Sequence, residues 1–213
     1  MADPPAALPA HGGLLLTTTG GSATTLLRHA TKLSAVTVGA GHIFCGDEQG
    51  EVCGWALHSL ETVELSGEPH VGAVVALQAI APTLNDPHRS QPLLFSAAAD
   101  GIKAWDVANR ACVASLHGHT AAVTSLAVSQ GLLASASTDG ELRWWELASH
   151  EAVASVAAHE APIQALAALR PRALLASACR GGRVHMWSVD EGGGGERVAV
   201  RVASLDAHGG AWA

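Results

Sequence analysis

Three residues of the types used in acyl transfer stand close together in this 213-residue chain: His119, Ser135 and Asp139. A serine hydroxyl becomes a nucleophile when a histidine takes its proton and a carboxylate orients that histidine. Nothing around Ser135 resembles the Gly-x-Ser-x-Gly turn that exposes such an oxygen, and a like trio recurs at His70, Ser96 and Asp100. A set that repeats along a chain points to architecture rather than to catalysis. His117 and His119 invite a metal reading, but no cysteine and no cluster of carboxylates accompanies them, so no metal site is expected. The glycine run between Asp190 and Arg197 lacks the Lys-Ser or Lys-Thr that completes a phosphate cradle, and reads as a flexible surface linker. Cys45, Cys53, Cys112 and Cys179 share no Cys-x-x-Cys spacing and read as reduced, mostly buried thiols. No catalytic residue, metal or cofactor is therefore expected.

The elements that carry these residues repeat. Four segments, starting at His29, His70, His119 and His159, share a histidine followed by apolar residues four and seven positions later. The apolar pairs are Leu33 and Val36, Val74 and Leu77, Val123 and Leu126, Ile163 and Leu166. A helix uses the same spacing, but each segment runs on into small and apolar residues, a tight turn and a tryptophan, which is a strand pattern. Asp100-Gly101 and Asp139-Gly140 are hairpin turns because glycine accepts a positive φ without steric cost, and Gln49-Gly50 and Gly181-Gly182 occupy the same place. Successive histidines, ending with His208, are 41, 49, 40 and 49 residues apart. A four-stranded unit takes roughly 40–45 residues, and the longer intervals hold insertions at Ala81–Gln91 and Asp190–Arg197.

Composition narrows the classes. The chain is 48% hydrophobic with a mean hydropathy of +0.24, and its 15% charged residues leave no room for a long charged tail. A net charge of −7 argues against a nucleic-acid surface, which needs concentrated cations. No basic residue precedes the first apolar stretch, so no secretory leader is expected, and no apolar run approaches a membrane span. The expectation is a soluble cytoplasmic protein, the nucleus left open, without membrane or nucleic-acid partners.

Gly118-His119, Asp139-Gly140 and the pair Trp105-Asp106, within four tandem units over residues 29–207, resemble the WD-repeat (WD40) β-propeller family. The resemblance implies an all-β fold of four-stranded antiparallel blades, with repeats at 29–69, 70–118, 119–158 and 159–207. It also implies a hydrogen-bonded fastener in each blade, built from a starting His, a Ser or Thr on the second strand, a turn Asp and a Trp on the third strand. His119, Ser135, Asp139 and Trp145 form a complete set; His70, Ser96, Asp100 and Trp105 form another, with a turn one residue shorter before the tryptophan. The fourth unit keeps His159, Ser177 and Trp187 but has Gly181 where the aspartate belongs. The first keeps His29 and Trp55, with Cys45 and Gln49 in place of Ser and Asp. Those two blades are expected to be less firmly pinned. Trp144, beside Trp145, points to the opposite face of its strand and is expected to pack between blades.

The ends carry pieces of further blades. Residues 1–12 are expected to be disordered, 13–28 to form a partial-blade hairpin about Gly20-Gly21 with Leu15 at the tryptophan position, and 208–213 to begin another repeat. Four complete blades fall short of the common seven-bladed ring. Three arrangements fit: a fragment, an arc completed by a partner or a second copy, or a small strained ring whose end strands share a blade. The ending within a repeat favours the fragment.

The function that the resemblance implies is a non-enzymatic scaffold for protein partners. In this family partners dock beside the turn aspartate and on the first strand, which maps here to Glu48, Ala99, Thr138 and Arg180 and to Lys32, Ser34, Thr124 and Gln164. A ubiquitin-ligase substrate adaptor is the alternative, although the Arg or Lys that marks some relatives two positions after Trp-Asp is absent at Val107-Ala108. A propeller hydrolase is a weaker third reading, since no convergent acidic or histidine set stands out.

Overall fold

The computed structural model describes residues 13–16, 25–28, 31–59, 61–82, 91–169, 173–192 and 196–206. They form eighteen strands and no helix. The first blade contains β3 (Leu33–Gly39), β4 (His42–Asp47), β5 (Val52–Ala56) and β6 (Thr62–Glu64). The second contains β7 (Ala76–Ile80), β8 (Leu93–Ala98), β9 (Gly101–Asp106) and β10 (Ala111–Leu116). The third contains β11 (Val123–Ser129), β12 (Leu132–Ser137), β13 (Glu141–Glu146) and β14 (Ala152–Ala157). The fourth contains β15 (Ile163–Leu169), β16 (Leu174–Cys179), β17 (Arg183–Glu191) and β18 (Arg197–Asp206). Each blade is an antiparallel meander with its strands in chain order. A separate hairpin joins β1 (Gly13–Leu16) to β2 (Thr25–Arg28), with Leu15 opposite Leu26. Residues 1–12, His29, the turn at Gly20-Gly21 and residues 207–213 lie outside the described residues.

The blades stack in chain order. β3 touches β7, β7 touches β11 and β11 touches β15, so the first strands form one continuous inner wall. Between blades lie the apolar layers that hold the stack. Phe44 and Val52 meet Val74, Leu94 and Trp105; Phe95 and Ile102 meet Leu126, Leu133 and Trp145; Ala134, Leu142 and Trp144 meet Ile163, Leu175 and Trp187. Trp144 and Trp187 pack edge to face across the third layer at 6.3 Å, which puts Trp144 between blades. Small residues make this approach possible: a Cβ on Gly46 would lie 2.5 Å from the Val74 side chain. The layers end at blade 4, where Val184 and Met186 on its far face are only half-buried and, among the described residues, no sheet covers them. The sheets form an unclosed arc.

One local feature differs from expectation, and a second bears on the site. The ends of the Asp190–Arg197 segment are not a loose excursion: β17 and β18 continue into them, with Asp190 opposite Val198 and Glu191 opposite Arg197. The described residues at both ends of the segment extend an existing antiparallel ladder, and the Gly192 amide donates to Glu196 O at 2.7 Å. The first strands of blades 1, 3 and 4 each carry a bulge near their start, between Leu33 and Ala35, Val123 and Ser125, and Ile163 and Ala165. The extra residues are Ser34, Thr124 and Gln164.

Candidate functional site

In blade 2 the strands bring four side chains into one chain of hydrogen bonds. His70 reaches Asp100 from Nδ1 at 2.6 Å and Ser96 from Nε2 at 2.7 Å, and Trp105 donates to the same Ser96 oxygen at 2.8 Å. Asp100 also accepts the Val71 amide at 2.9 Å. Burial dominates the His70 pKa and lowers it, although the Asp100 carboxylate pulls the other way. Burial acts to raise Asp100, but the bonds from Val71 and His70 outweigh it and hold the carboxyl below its ordinary value.

Blade 3, which has the fuller motif in sequence, joins only three of the four side chains. His119 Nε2 bonds Ser135 at 2.6 Å and Trp145 donates to Ser135 at 2.8 Å, but His119 Nδ1 has no hydrogen-bond partner. Asp139 has turned away. Its carboxylate accepts the Glu141 amide at 2.9 Å and the Thr120 hydroxyl at 3.1 Å. The cause is the residue after the histidine: the Thr120 hydroxyl takes the oxygen that in blade 2 accepts a backbone N–H beside the imidazole. Burial lowers the His119 pKa.

The expectation of no carboxylate cluster near His119 is corrected by the fold, because the turn brings Asp139 and Glu141 to it. One ligand atom from each of the three lies within 4.8 Å of the others. Those oxygens already have partners: Glu141 pairs with Arg143 at 3.0 Å and stands 3.7 Å from His119 Nδ1. Nor does Ser135 present a nucleophile. It is fully buried, and its oxygen is shared between Trp145 and His119.

Blade 4 repeats the three-membered chain, with His159 Nε2 to Ser177 at 2.7 Å and Trp187 to Ser177 at 2.9 Å. Gly181 supplies no carboxylate, and His159 Nδ1 is unpartnered. In blade 1 the aspartate that the sequence reading missed is Asp47. It ends β4 fully buried, accepts the Gln49 amide at 2.9 Å and the Glu51 amide at 2.8 Å, and is bonded by the Thr31 hydroxyl. Its place corresponds to Ser137 of blade 3, two residues before the expected position at Gln49. Cys45 is fully buried, and burial pushes the Cys53 thiol opposite it up to about 12.

The positions read as a docking surface divide in two. Glu48, Ala99, Thr138 and Arg180 are exposed beside their turns, and Lys32 pairs with Glu48 at 2.5 Å. Gln164 is exposed. Ser34, also exposed, and the half-buried Thr124 use their hydroxyls within the fold. Ser34 donates to Gly46 O at 3.2 Å and Val74 O at 2.6 Å, and Thr124 to Ala136 O at 3.2 Å. The reason is the bulge, which leaves an opposing carbonyl for the extra residue to satisfy.

Comparison with known proteins agrees with this geometry. Residues 110–146 match the family model "WD domain, G-beta repeat". Mitochondrial division protein 1 of Pyricularia oryzae is 41% identical over 51 residues, 24% of this chain and 8% of that protein. The computationally designed Ika8 protein superposes with a TM-score of 0.66 at 23% identity, over 85% of this chain and 51% of that one. The RRP9 WD40 repeats superpose with a TM-score of 0.64 at 19% identity, over 88% and 53%. This chain thus spans under a tenth of that curated relative and about half of those two structures. The chain thus shares with WD-repeat β-propellers its tandem four-stranded blades, three of them fastened by a buried His–Ser–Trp chain, and one repeat that matches the family's model.

Proposed function

We propose that this chain is a scaffold that holds protein partners at the turn end of its blades, where Lys32, Glu48, Thr138, Gln164 and Arg180 are exposed. One observation carries the reading. The buried His–Ser–Trp fastener repeats in blades 2, 3 and 4, while the exposed residue before each turn differs, being Glu48, Ala99, Thr138 and Arg180. A frame that repeats beneath a rim that varies supports recognition, because rigid strands fix where each side chain stands. A catalytic reading has no comparable support, since the serine of each trio is sealed beneath its tryptophan. Four free cysteines fit a reducing setting such as the cytoplasm.

The test is affinity capture on the immobilised full chain, with mass spectrometry of what is retained, set against a Lys32→Glu, Arg180→Glu double variant. Both positions are exposed, so the variant keeps its strand circular dichroism and loses the retained partners. Undiminished capture would discard the face.

A further inference from the structure

The turn end of blade 4 contains a cavity of about 400 Å³ bordered by His159, Gly181, Arg183, His185 and Arg201. His159 is only 8% exposed, and its Nδ1 has no partner. Blade 2 shows what belongs there. The Asp100 carboxylate only accepts, so His70 Nδ1 carries the proton, and Nε2 accepts the Ser96 hydroxyl. His159, Ser177 and Trp187 reproduce the rest of that chain, which leaves a His159 Nδ1–H facing a place without an acceptor. A buried donor left without an acceptor keeps the full cost of its lost hydration, a deficit that a ligand oxygen removes.

The surroundings favour an anion. Burial and the neighbouring His185 hold the His159 pKa down to about 4, with Arg183 and Arg201 pressing the same way, so the imidazole is neutral and the arginines bring the charge. Arg183 has only a loose contact with the exposed Asp206, at 3.7 Å, and Arg201 makes no ion pair among the described residues. Glu160 also borders the cavity and is exposed. His185 stacks on His159 at 4.1 Å and 9°, and is itself tied to Ala158 O at 2.9 Å, which fixes the imidazole in place. Access is not an obstacle, because in blade 2 a carboxylate that is 25% exposed meets a histidine side chain that is fully buried.

We propose that this cavity is a receptor for a carboxylate side chain presented by a protein partner, bound by His159 Nδ1–H, Arg183 and Arg201 in the place that a turn aspartate fills in blade 2. Gly181 is what opens it. The proposal rests on the scaffold reading for the source of the carboxylate, and on the cavity alone for the site. A Cβ on Gly181 would meet only Ala161 Cβ and Cys179 Sγ, both at 3.6 Å, so Gly181→Asp fits and supplies the missing group from within.

The experiment titrates the full chain, with ¹⁵N-labelled histidine, with acetyl-Gly-Asp-Gly-amide, its Asn counterpart and inorganic phosphate. The expected result is a saturable shift of His159 Nδ1 with the Asp peptide, weaker by about tenfold or more with the Asn peptide and in the Arg201→Gln variant. In Gly181→Asp the signal starts at the shifted position, does not move, and the melting temperature is unchanged or higher. An unmoved wild-type signal, an equal response to Asp and Asn peptides, or an equal response in Gly181→Asp overturns the proposal; phosphate binding without Asp-peptide binding overturns the carboxylate assignment. Partner capture retained in full by Gly181→Asp removes the site from recognition while leaving the scaffold reading intact.

Discussion

Ser96 is the joint of the blade 2 fastener, taking the Trp105 N–H and meeting His70 Nε2. Ser96→Ala orphans two buried groups at once, so it should cost about 1–3 kcal/mol, read as a lower urea midpoint at unchanged slope. Asp47 makes a sharper contrast. Asp47→Ala strips a buried carboxylate from two turn amides and a hydroxyl and should cost about 1.5–3 kcal/mol, whereas Gln49→Ala, at the exposed position where the motif expects an aspartate, should stay within about 0.5 kcal/mol. Equal costs in that pair would remove Asp47 from its role. The types of the fastener residues were legible in the sequence, but their pairing was not. Whether Asp139 reaches His119 depends on Thr120 competing for an oxygen, and motif spacing says nothing of that competition. Asp47 was hidden for a related reason, since a two-residue displacement around a turn changes the motif but not the position of the carboxylate beneath it.

Turns decide how one element meets the next. Gly140 has φ +84°, and a Cβ there would lie 2.0 Å from the carbonyl oxygen of His159, so the first residues of blade 4 rest directly on the turn of blade 3. Gly140→Ala combines a left-handed conformation, worth about 1–3 kcal/mol of strain, with a backbone clash that no side-chain rotation relieves. It should lower the melting temperature by several degrees, while Gly181→Ala, at an ordinary φ and with 3.6 Å to its neighbours, should leave it nearly unchanged. Strand order and hairpin turns were readable because tandem units show the same pattern four times. The bulges were not, since an extra residue in one strand leaves the apolar alternation nearly intact and declares itself only through register.

Over the whole arc, buried neutral histidines link stability to acidity. His159, held to about 4 in the fold against an ordinary value near 6.5, binds its proton more readily when unfolded, and His70 and His119 shift the same way. A depressed histidine therefore stabilises fully above about pH 6.5, and that contribution falls away as pH drops towards about 4. The urea midpoint should fall between about pH 7 and about pH 5, more steeply in wild type than in Gly181→Asp, where a carboxylate favours the protonated ring. A flat profile would show that these imidazoles reach solvent.

The way the turns of blades 1 and 3 seat the blades that follow also sets an order of assembly. Gly50 accepts the His70 amide at 2.9 Å, and Gly140 accepts the His159 amide at 3.1 Å, so a blade completes its own end only after the start of the next has been synthesised. A chain emerging from the ribosome therefore completes the turns of these two blades one step late. Cutting between two repeats would accordingly damage the upstream neighbour as well as the piece removed.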